Sequence, residues 1–70
     1  MSRIKPKYLE QLDPDRHYKM IADSVRCDDR TIESAMQTNH HQSILMQLNA
    51  LYCMARILNV ANINELIEYE

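Results

Sequence analysis

Residues 21–32, IADSVRCDDRTI, decide how this chain folds. Ile21, Ala22 and Val25 recur at helical spacing, a polar break follows at Arg26 and Cys27, and Asp28-Asp29 precede a new apolar residue, Ile32. Asp28 is placed to N-cap a helix over 28–37, where the partial positive charge of a helix start favours carboxylates. Two helices joined by so short a turn meet at a sharp corner. Ala22 is small where the helices approach most closely. Val25, Cys27 and Ile32 close the corner, so the outer face of helix 28–37 projects from the domain.

Upstream, Ile4, Tyr8 and Leu12 stand at i, i+4 and i+8 and predict a short first helix after Pro6. Asp13-Pro14 is a start signal for a second helix, a carboxylate cap followed by proline at the first helical position. Tyr18, Ile21, Ala22 and Val25 form its inner face, and it stops near Arg26. In helix 28–37 the inner residues are Ile32, Ala35 and Met36. TNHHQ (38–42) is polar and reads as a loop.

From Ser43 a long helix is predicted, with Ile44, Leu48, Leu51, Ala55 and Leu58 in one stripe and Leu45 and Tyr52 beside it. Asn59 is the stop. Asn62-Ile63-Asn64-Glu65 is a capping-box pattern that opens a last short helix with Leu66 and Ile67 inside. No segment reads as a strand. The expectation is a compact all-α domain of five helices, residues 1–70, with a basic N-terminal arm at 1–7.

The totals are consistent with this. Seventy residues make one domain at most, burying roughly 60% of the surface of the unfolded chain. The chain is 46% apolar, without Gly, Trp or Phe, and its apolar residues are mostly Ile, Leu, Met and Ala, a helical composition with little room for an enzyme cleft. The net charge of −2 is no general footprint for nucleic acid, but its distribution is uneven. Arg3, Lys5 and Lys7 lie in an arm without acids, and no Lys or Arg occurs between Arg30 and Arg56. With no apolar run near 18 residues and no signal-peptide pattern, a soluble cytoplasmic protein is expected, and Cys27 and Cys53 as reduced thiols. His17, Cys27, His40, His41 and Cys53 fall in no metal-ligand spacing, and no nucleophile is aligned with a base, so neither a metal, a cofactor nor an enzymatic activity is expected.

MIADSVRCDDRTIESAM (20–36) resembles the helix-turn-helix of phage-repressor-like (XRE/Cro) domains: an apolar residue, Ala, two variable residues, a small apolar residue, the turn, an aliphatic, a polar cap, and later Thr-Ile. ARILNVANINELIEY (55–69) is similar to the family's helix 4 to helix 5 segment, in which Ala-x-x-Leu-x-Val leads into a capped Asp/Asn-Glu-Leu helix. Together the two matches cover most of residues 18–69. The family usually carries glycine at the turn, where this chain has Arg26, and a basic loop after its recognition helix, where this chain has QTNHHQS.

The resemblance implies a lambda-repressor-like fold and a transcriptional regulator that binds double-stranded DNA. With so few cations, a homodimer on a palindromic site is expected to compensate, and by elimination its surface involves helices 4 and 5, which face away from the recognition helix. Asp29, Arg30 and Ser34 match base-reading positions, and Gln37 at the end of the same helix is grouped with them. Arg30 suits guanine O6 and N7, and Asp29 a cytosine amino group. Tyr18 matches a phosphate-binding position, with Lys19 beside it. Thr38, Asn39, His40 and His41 stand where the phosphate-gripping loop is expected. Each has a plainer reading: Arg30 paired to an acid on a solvated face, Tyr18 in the core, the histidines in an exposed loop. The alternative function is a protein-interaction module, an antirepressor or accessory subunit that keeps the fold and binds DNA weakly or not at all.

Overall fold

The computed structural model of the chain describes residues 2–37 and 43–69. It is mostly helical, with a small antiparallel sheet. The elements run β1 (Ser2–Ile4), α1 (Pro6–Leu9), α2 (His17–Ser24), α3 (Asp29–Gln37), a 3-10 turn (Ser43–Met46), α4 (Leu48–Leu58), a second 3-10 turn (Ile63–Leu66) and β2 (Ile67–Tyr69). Buried Ile4, Leu12, Ile21, Ala22, Ile32, Ala35, Leu45, Leu51, Met54 and Leu66 belong to one cluster. A fully buried Ile contributes about 1.5–3 kcal/mol, so Ile21 and Ile32 matter most at the corner.

The corner forms as its residues demand. Helix α2 ends with Arg26 at φ 56°, in the left-handed region. The Cys27 N–H donates to the Ala22 carbonyl (3.0 Å) and the Arg26 N–H to the Asp23 carbonyl (3.3 Å). This paired arrangement is a Schellman motif, which satisfies the last carbonyls of α2 and reverses the chain. An arginine accepts here the conformation that glycine would take at less cost. Asp28 sits at the cap position of α3, its carbonyl accepting from the Thr31 N–H (3.0 Å). Ala22 and Ile32 are fully buried on facing helices. Helix α2 packs against both α3 and α4, so it lies at the centre of the domain.

Four expectations are corrected. The first concerns the ends of the chain, which are strands and not helix or free arm. Ser2 pairs with Tyr69, Arg3 with Glu68 and Ile4 with Ile67, so the domain is neither all-α nor five-helical. Each strand is three residues long, too short for a period-2 pattern to be legible. Ile4 is fully buried and Arg3 forms an ion pair with Glu68, which ties down the supposed basic arm.

The second concerns the long helix. Gln47, with ψ 143°, interrupts it and resets its phase. The buried face of α4 is Ala50, Leu51, Cys53, Met54 and Ala55, while Leu48 and Tyr52 are exposed. The third is the final helix, which is one 3-10 turn followed by a strand. Its cap is present, as Asn62 Oδ1 accepts from the Asn64 N–H (2.9 Å). The bond satisfies a turn that β2 then continues.

The start of α2 also shifts, from Asp13-Pro14 to His17. Asp13 still caps the preceding turn: its Oδ1 accepts from the Asp15 N–H (3.0 Å), and its carbonyl from the His17 N–H (2.7 Å). The Asn59 stop is present, with φ 57° and the Val60 N–H donating to the Ala55 carbonyl (2.9 Å).

Candidate nucleic-acid interface

Helix α3 buries Ile32 and Ala35, half-buries Met36, and leaves the rest of its circumference in solvent. At 100° per residue, Arg30, Ser34 and Gln37 fall opposite the buried side, with Asp29 and Glu33 on one flank and Thr31 on the other. All six are exposed. The helix is nine residues long, about 13.5 Å at 1.5 Å per residue. Among the described residues Arg30 enters no ion pair.

Unlike hollows border this ridge. On the α2 side, Pro14, Asp15, Tyr18, Asp29, Glu33 and Gln37 line a depression of about 340 Å³. Tyr18 is half-buried there, and burial together with the nearby Glu33 carboxylate pushes its phenol above the usual range. It remains a hydroxyl donor at neutral pH, but three carboxylates stand around it. On the other side, Arg30, Thr31, Ser34, Ala35, Ser43 and Ile44 line a depression of about 420 Å³.

The structure thus brings Tyr18, Asp29, Arg30, Ser34 and Gln37 onto one region. Lys19 is exposed on α2. Thr38, Asn39, His40 and His41 lie outside the described residues. Two residues without an expected role, Thr31 and Ser43, join the site. Thr31 stands one position after Arg30 and one turn before Ala35, a signal legible on a helical wheel. Ser43 comes close only through the fold.

Cys27 is half-buried beside the acids, and burial and then Asp28 and Asp29 push its thiol up, so it is no thiolate at neutral pH. Among the described residues no group of three His, Cys, Asp or Glu side chains is placed to hold a metal ion. Among them, too, no helix is long and apolar enough to cross a membrane.

Compared with models of protein families, with curated proteins and with solved structures, the chain matches none.

Proposed function

We propose that this chain is a sequence-specific DNA-binding transcriptional regulator, a repressor of the phage-repressor-like helix-turn-helix type with a lambda-repressor-like arrangement of α2 and α3. The observation that carries the reading is the corner at Arg26: a left-handed residue turns α2 into α3 while the outer face of α3 stays in solvent. In this reading α3 enters the major groove. Arg30 reads a guanine, Asp29 a cytosine amino group, and Ser34 and Gln37 contact bases or backbone along the same face. Tyr18 and Lys19 address phosphates from α2.

A single copy carries few cations for phosphate contact, and a homodimer on a palindromic site compensates. Leu48 and Tyr52, 61% and 57% exposed, form an apolar pair one turn apart on α4, while α2 lies between α4 and α3. A molecule 27 × 25 × 20 Å across, set back to back with its twin on this face, has room to place two α3 helices about 34 Å apart.

The test is selection of bound sequences from a random duplex pool, followed by titration of the winner. The expected result is a defined half-site whose recognition is lost in Arg30→Ala while the fold, followed by circular dichroism, is kept. No binding at about 50 mM salt, where phosphate contacts are strongest, overturns the proposal. A second reading, a protein-interaction module, is favoured by Asp15, Asp29 and Glu33, which repel phosphate beside the reading face. A stoichiometric protein partner together with indifference to DNA selects it.

A further inference from the structure

We infer that the hollow where α4 ends is a docking site for another protein, one that presents a short extended segment with a carboxylate next to an aliphatic side chain. The inference does not depend on what α3 reads.

The Asn59 stop builds this hollow, which is about 640 Å³. Tyr52, Arg56 and Asn59 stand at i, i+4 and i+7 and make one wall along α4, about 10 Å long at 1.5 Å per residue. After the left-handed turn at Asn59, Val60 to Ile63 supply the rest of the lining. Ala55 is buried there, and Val60 and Ile63 are half-buried, so the floor is apolar.

The polar groups select the occupant. Arg56 is the only Lys or Arg after Arg30 in the chain and the only charged residue of the lining. It is exposed, and among the described residues it enters no ion pair. A guanidinium without an acid attracts a carboxylate, which it holds by two parallel hydrogen bonds. The Asn62 side-chain oxygen already accepts from the Asn64 N–H (2.9 Å), which leaves its amide nitrogen to donate to a peptide carbonyl. One cation above an apolar floor is no track for a nucleic-acid backbone, which needs a row of them. Nor is this a small-molecule cavity, because Tyr52, Arg56, Asn59 and Asn62 are all exposed and give too little cover to bury a ligand. A wall of this length spans about three extended residues at about 3.3 Å each. Tyr and Arg are also the residue types that most often anchor protein contacts.

Tyr52 also belongs to the face on which two copies are set back to back. Partner and twin therefore exclude one another there, and filling the hollow takes the dimer apart. This consequence alone rests on the function proposed above.

The experiment selects displayed random linear peptides on the full chain, then titrates the winners as synthetic peptides into isotope-labelled protein followed by NMR. The expected winners carry Asp or Glu beside Leu, Ile or Val and shift the amide signals of Tyr52, Arg56, Val60 and Ile63. Arg56→Gln, with its fold checked by circular dichroism, weakens them about tenfold, the usual size for a hydrogen bond to a charged group. Arg56→Lys recovers part of the loss, and Arg30→Gln changes nothing. No winner, winners without an acid, signals that move on another face, or an Arg56→Gln variant that binds as tightly overturns the site. In sedimentation velocity a saturating winner turns dimer into monomer. A dimer that survives with the hollow filled overturns the competition, whereas an unaltered chain that is monomeric throughout overturns the homodimer and leaves the site standing.

Discussion

Replacing Arg26 with glycine should make this protein more stable. Arg26 holds φ 56° as the left-handed residue of the motif that ends α2. For an L-residue that conformation costs about 1–2 kcal/mol, because Cβ crowds the following carbonyl oxygen. Glycine lacks the Cβ and escapes that cost, but it gives back about 0.4–1 kcal/mol through the greater freedom of the unfolded chain. The net expectation for Arg26→Gly is a gain of about 0.5–1 kcal/mol. In a domain of this size that corresponds to roughly 2–8 °C in Tm.

Two companions separate backbone strain from side-chain loss. Arg26→Ala removes the exposed side chain and retains the Cβ, so it should lie near the parent. Arg26→Asn should fall between, since asparagine tolerates the left-handed region. Thermal and urea unfolding followed at 222 nm measure the series. A destabilised glycine variant, or an alanine variant as stable as the glycine one, would mean that residue 26 is not left-handed, and the corner that orients α3 would be wrong. Asn59, at φ 57° after α4, provides an internal comparison: Asn59→Gly should gain less.

Ile4→Ala should cost about 2–5 kcal/mol despite its place near the chain end, because Ile4 is fully buried; urea unfolding measures it. By contrast, Arg3→Ala should cost no more than about 1 kcal/mol, since Arg3 and Glu68 are 28% and 33% exposed. Stability should fall as pH rises above about 9. Burial pushes the Cys53 thiol above its ordinary value of 9.0, against the lesser opposing effects of Arg56 and Ser24. The unfolded chain then loses its proton first, so folding is favoured below that pH and progressively less above it. Urea midpoints from pH 7 to 10.5 should show this decline, and Cys53→Ala should flatten it; an unchanged slope would exclude Cys53 as its source. Leu48→Glu should leave the unfolding free energy of the single chain within about 0.5 kcal/mol of the parent and abolish the proposed dimer in sedimentation velocity.

The corner was legible because it is written locally. Ile21, Ala22 and Val25 repeat at helical spacing, and Asp28 announces a helix start whatever lies elsewhere. The same holds for Asn59, whose side chain suits the backbone it adopts. The ends were not legible. Arg3 opposite Glu68 and Ile4 opposite Ile67 are cross-strand pairs that exist only once residues 65 and 63 apart in sequence meet. Of the apolar stripe from Ile44 to Leu58, Leu51 and Ala55 are buried where the count puts them, while Leu48 is exposed because the extended backbone at Gln47 breaks the helix just before it. For the candidate site, the solvent-facing side of α3 followed from periodicity, and Arg30, Ser34 and Gln37 are exposed where a wheel puts them. The grouping of Ser43 with Thr31, and of Asp15 with Glu33, depends on how separate elements dock, and no local pattern encodes it.

The ladder between Ser2 and Tyr69 has a consequence for synthesis. Ile4 is synthesised 63 residues before its partner Ile67, so it waits without that partner while the segment between them is made. The corner and the α2–α4 contact need no such wait, because their partners lie closer in sequence and less loop entropy opposes them. A nascent chain should therefore acquire its α2–α3 corner before its seam is closed. A chain cut before residue 67 would then keep the corner while leaving Ile4 without its strand partner.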